Sequence, residues 1–145
     1  MKKLFAKIAG LFAAFALLIG LASCFGSSYS SSSLKSGLEN AGYKVEENPI
    51  IVNLETSKLE GYKSSLVAYK TVDGKETGIL ILIFDSTANA DKAGASNNGV
   101  ATEFITLMHG WGRRYAPESD TSVYGTANNL VWAGSSAAKK AAGIF

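Results

Sequence analysis

Apolar positions along this chain fall into several rhythms, and each predicts a different element. From Ile8 to Ala22 they run almost unbroken behind Lys2, Lys3 and Lys7. Leu34, Leu38 and Ala41 then recur at helical spacing, with serines ahead to cap a helix and Gly42 behind to end it. Tyr43 to Glu46 alternates as a strand does and stops before Asn48-Pro49. Ile50 to Leu54 is apolar without a clear period, and Thr56 to Tyr62 has room for a helical turn. Ser65 to Val72 and Gly78 to Phe84 are rich in β-branched and aromatic residues and flank Asp73-Gly74, which predicts a β-hairpin. The second of these strands is apolar at odd and even positions alike, so it belongs in the middle of a sheet with cover on each side. If helices covered only one side, the other would be a docking surface.

The remaining pattern completes the fold. Asp85-Ser86-Thr87 can cap a helix beginning near Ala88, which Gly94 and the 97–99 stretch should interrupt. Val100, Phe104, Leu107, Met108 and Trp111 predict a second helix from about Val100 to His109, ended by Gly110 and Gly112. Thr121 to Gly125 and Asn129 to Ala133 read as two more strands around an Asn-rich turn, and Ser136 to Ala142 as a last helix. Adjacent hairpins and segregated helices predict an α+β class. The expected architecture is an antiparallel sheet of four or five strands with helices packed on one face.

The first rhythm is a targeting signal. Positive charge, a short apolar core and small residues form the pattern of a secretory signal peptide. The apolar run from Ile8 to Ala22 has 15 residues, against the roughly 20 a lasting transmembrane helix needs. At its end, Leu21-Ala22-Ser23-Cys24 resembles the lipobox of bacterial lipoproteins, in which a leucine and two small residues precede the modified cysteine. The resemblance covers the first two dozen residues. It implies cleavage before Cys24, diacylglycerol on its sulfur and fatty acylation of the new amine in many bacteria. The protein would then be lipid-anchored at the extracytoplasmic face of a membrane in the cell envelope. On this reading residues 1–23 are signal peptide, 24–33 are the lipidated cysteine and a flexible Ser/Gly-rich tether, and 34–145 form a single globular domain.

That reading changes what the charge means. Removing Lys2, Lys3 and Lys7 from a formal +2 leaves −1, so the basicity belongs to targeting and gives no reason to expect nucleic acid as a partner. With the single cysteine acylated, the mature domain has no thiol and no disulfide. Nothing in the sequence calls for a cofactor or a metal.

Candidate chemistry is sparse. Ser136-Ala137-Ala138-Lys139 has the S-x-x-K spacing of penicillin-binding proteins and class A β-lactamases, but Ser32-Ser33-Leu34-Lys35 repeats it and the companion motifs are missing. Ser136 therefore reads as a capping serine and Lys139 as an exposed lysine. Glu46, Glu47, Asp85, Glu118 and Asp120 are scattered, and no pair is placed to face one cleft. His109 is the only histidine. It stands with Trp111, Arg113 and Arg114 at an expected helix end, where an indole could stack and arginines could fork onto a carboxylate or phosphate. The plainer reading of this cluster is a helix C-terminus with favourable charge and a core tryptophan. The function that fits best is a non-catalytic binding or interaction module, its partner an envelope protein or a small anionic ligand. A small hydrolase using His109 and a structural envelope-maintenance lipoprotein are the alternatives.

Overall fold

The computed structural model describes residues 28–50, 52, 56, 58–95, 99–120 and 122–145. The signal peptide, the lipobox and Cys24 lie outside the described residues. The fold is α+β, with an antiparallel five-stranded sheet at its centre.

The first helix, α1 (Ser31–Asn40), starts where Ser30 turns its hydroxyl onto the backbone N–H of Ser33. Its Leu34 and Leu38 are fully buried, and Gly42, at φ 88°, turns the chain into β1 (Lys44–Glu47). Strands β2 (Tyr62–Val72) and β3 (Lys75–Phe84) form the predicted hairpin. Asp73 and Gly74 both take positive φ, the turn that matches the right-handed twist of the flanking strands. Helices α2 (Thr87–Gly94) and α3 (Gly99–Tyr115) follow. Strands β4 (Tyr124–Ala127) and β5 (Leu130–Gly134) then form a second hairpin, and α4 (Ser136–Ala141) closes the order. The strands lie in the order β1-β2-β3-β5-β4, so β2, β3 and β5 occupy the interior and two four-residue strands form the edges.

The helices, expected on one face, cover both. The cause is visible in β3, which has no polar side. Ile79, Ile81 and Ile83 point to one face, where they join Leu34 and Leu38 of α1 and Ala138 of α4. Leu80, Leu82 and Phe84 point to the other, where they join Ala90 and Ala93 of α2 and Met108 of α3. Strand β5 divides the same way, with Leu130 and Trp132 on the α1/α4 side and Val131 and Ala133 on the α2/α3 side. A sheet buried on both faces needs two helical layers, so neither face is left as a docking surface.

Two boundaries differ from expectation. Among the described residues the folded domain already includes Tyr29, ahead of the expected start at Leu34. Asn129 Oδ1 accepts the Tyr29 backbone N–H at 2.7 Å, and Asn129 Nδ2 donates to the Tyr29 carbonyl at 3.1 Å. The Tyr29 ring packs on the α1/α4 core. Five residues of the expected tether therefore belong to the folded domain. Helix α3 also runs past Gly110 and Gly112 to Tyr115, six residues beyond the expected stop. Glycine in a helix interior costs about 1 kcal/mol relative to alanine, too little to end a helix that is packed on a sheet. At Gly112 the absence of a side chain is itself a packing requirement. A Cβ there would meet the Val123 carbonyl oxygen at 2.3 Å, so only glycine lets the helix approach this closely.

Candidate functional site

The extension of α3 decides what becomes of His109, Trp111, Arg113 and Arg114. At about 100° per residue, positions 109 and 111 point about 200° apart, whereas 107, 111 and 114 share one side of the helix. The four residues that stand together in sequence are therefore divided between two faces, with buried Met108, Gly112 and Tyr115 beneath.

Trp111 and Arg114 come together. With Thr106, Leu107 and Gly110 they line an open cavity of about 560 Å³. Trp111 is half-buried against the α2/α3 core, and its ring lies 5.5 Å from that of Tyr115 at 30°. The Arg114 guanidinium sits 5.3 Å from the centre of the Tyr115 ring, within range for a cation–π contact. Burial pushes the Tyr115 phenol up from its ordinary value, and the Arg114 charge opposes that shift. The cavity thus has an apolar and aromatic wall with one cation at its rim. Gly110 adds no side chain, and a Cβ there would meet only open space.

His109 and Arg113 lie elsewhere. The His109 ring packs 5.0 Å from that of Tyr124 at 38°. The Tyr124 hydroxyl is engaged with the Gly94 carbonyl at 2.9 Å, and burial raises its pKa. Among the described residues His109 has no hydrogen bond to a serine or a carboxylate, the geometry a His-assisted nucleophile would show. Arg113 is exposed on the same side of the helix.

Ser136 and Lys139 are also separated. The Ser136 hydroxyl donates to Asp120 Oδ1 at 2.7 Å, and its backbone N–H donates to Asp120 Oδ2 at 2.9 Å. Ser135, one residue earlier, is the cap of α4, accepting the N–H of Ala138. Lys139 Nζ lies over the Trp132 ring, 4.8 Å from its centre. The carboxylate at the start of α4 and the lysine on an indole each have a packing role. Among the described residues no three His, Cys, Asp or Glu side chains are grouped to hold a metal ion.

Sequence reasoning missed three participants. Tyr115 was hidden because the helix was expected to stop at His109. Tyr124 meets His109 only through the sheet, so no local pattern announces it. Leu107 was legible, since it stands one turn before Trp111 in the same apolar stripe.

Comparison with known protein families, curated proteins and solved structures returns no match to this chain.

Proposed function

We propose that this chain is an exported lipoprotein, anchored through acylated Cys24, whose domain is a non-catalytic binding module at the extracytoplasmic face of a membrane. The observation that carries the reading is positional. The single cysteine stands directly after Leu21-Ala22-Ser23, behind a basic and apolar leader, and five positions before Tyr29, which is fixed to the domain. No described helix is long and apolar enough to cross a membrane. The binding surface is the Trp111–Arg114 cavity. Its wall suits the apolar or aromatic part of a ligand, and Arg114 supplies a fork for an anionic group. The ligand class that fits is an amphipathic anion, either free or presented by an envelope protein.

The test is metabolic labelling with a radioactive fatty acid, followed by crosslinking in the source cells. Label in the wild-type protein and none in Cys24→Ser supports the anchor. Equal processing and no label in either form overturns it. A crosslinked species lost in Trp111→Ala/Arg114→Ala supports the cavity, and one retained undiminished in that variant overturns it.

A further inference from the structure

The way the domain is pinned at Tyr29 fixes which of its surfaces can meet the bilayer. Tyr29 is held by Asn129 in the β4–β5 turn, and Asn129 Nδ2 also reaches the Phe84 carbonyl at 3.3 Å. Phe84 is the last residue of β3 and pairs with Tyr62, the first residue of β2. The chain therefore enters the domain at the Phe84 end of the sheet. The β2–β3 hairpin turn, with Val72 beside it, lies at the opposite end. Ten residues of β2 separate Tyr62 from Val72, which is about 33 Å of strand.

Only Phe25, Gly26, Ser27 and Ser28 stand between Cys24 and Tyr29. Fully extended, the five steps from Cys24 to Tyr29 span at most about 17 Å. A headgroup layer is itself about 5–7 Å deep. At most about 10–12 Å of chain remains beyond the headgroups, against about 33 Å of strand, so the Phe84 end is the end of the sheet kept nearest the surface.

The Phe84 end carries apolar side chains in solvent. Phe145 is 90% exposed, and its backbone N–H lies 3.5 Å from the Tyr29 hydroxyl. Ile50 is 78% exposed. It follows Asn48, which leaves the end of β1 by bonding to Ser65 near the start of β2. Lys63 and Asp85 lie close together on the same rim, so their opposite charges nearly cancel.

We infer that the Phe84 end of the sheet lies against a phospholipid bilayer, with Phe145 and Ile50 entering the headgroup boundary on either side of the anchored N-terminus. This rests on the proposed acylation of Cys24. Lys63 with Asp85 and Lys92 with Glu60 pair opposite charges at this end, so the expected contact is mainly apolar and depends little on anionic lipid.

The experiment uses acylated full-length protein, its acyl mass confirmed, in phosphatidylcholine vesicles containing a headgroup-nitroxide lipid. Acylated Cys24 does not react with a thiol probe, so Phe145→Cys, Ile50→Cys and Val72→Cys each give one fluorescent position. Val72, 46% exposed at the hairpin end, is the control. The expected result is loss of most of the fluorescence at 145 and 50 and none at 72, unchanged when anionic lipid is added. A further Phe145→Asp change should relieve quenching at 50. Acylated, vesicle-bound protein with equal quenching at all three positions, or more at 72, would overturn the face assignment and leave the anchor intact. Protein without an acyl group would overturn the anchor, and the face assignment with it.

Discussion

Gly110 and Gly112 are two residues apart on one helix, yet the structure assigns opposite signs to the same substitution at each. Gly110 faces open space, so Gly110→Ala adds a side chain at no steric cost and removes the entropy penalty of an interior helical glycine. The expected gain is about 0.8 kcal/mol, or roughly 3 °C in Tm for a domain of this size. Gly112→Ala receives the same propensity gain. Its Cβ would also stand 2.3 Å from the Val123 carbonyl oxygen and 3.0 Å from Val123 Cβ. The first of these is backbone, which no rotamer change can relieve, so α3 must move off the segment that leads into β4. Forced packing of this kind costs about 1–3 kcal/mol and sometimes more, leaving a net loss of about 0.2–2 kcal/mol after the propensity gain is subtracted. The assay is urea unfolding of both variants with matched slopes, which separates a stability change from a change in the unfolded state. The midpoints should move in opposite directions. Had the helix stopped at His109, both residues would be loop glycines without this contact. Shifts of the same sign and within about 0.5 kcal/mol of each other would therefore refute the packing argument.

Two further outcomes follow from the core and its seam. Asn129→Ala removes two hydrogen bonds to the Tyr29 backbone and one to Phe84, at about 1 kcal/mol each, so about 2–3 kcal/mol should be lost. In a chain beginning at Ser31 the same change should cost only about a third as much, because Tyr29 is gone; equal costs in the two chains would rule out the clasp. Burial raises the folded pKa of Tyr43, Tyr115 and Tyr124 above the ordinary 10.0. A phenol whose folded pKa is raised contributes stability that is fully present below its unfolded pKa, near 10, and is lost as pH rises through the folded value. Urea midpoints should accordingly hold steady from neutral pH to about pH 10 and fall above it. Phenolate absorbance should show these three tyrosines titrating late and together with unfolding, and six phenols all titrating near their ordinary value in a folded protein would contradict the burial.

What the sequence revealed and what it hid divide along one physical line. Local patterns were readable: Asp73-Gly74 announces its hairpin, and the apolar β3 announces cover on both faces. The expectation that helices occupy one side conflicted with that second signal, and the pattern of β3 was the better guide. Contacts between distant residues were not readable. The serine run looked like a linker because its partner, Asn129, lies 100 residues away from Tyr29. Gly112 looked like a helix stop because the reason for a glycine there is Val123, on another element. The same misreading joined four side chains into one imagined pocket, and the longer helix separates them.

The direction of α3 has a geometric consequence for any partner. Its last residue, Tyr115, accepts a hydrogen bond from the Thr77 hydroxyl at 3.1 Å, and Thr77 stands seven residues up β3 from Phe84. Seven strand residues amount to about 23 Å. The C-terminal end of α3, which carries Trp111 and Arg114, therefore lies towards the hairpin end of the sheet, and the Tyr29 clasp lies at the other. Under the proposed anchoring at Cys24, the domain would hold the hairpin end of the sheet at a limited range of heights above the lipid. Such a domain would select partners by altitude as well as by chemistry, favouring groups displayed about 2 nm above the headgroups over groups buried among them.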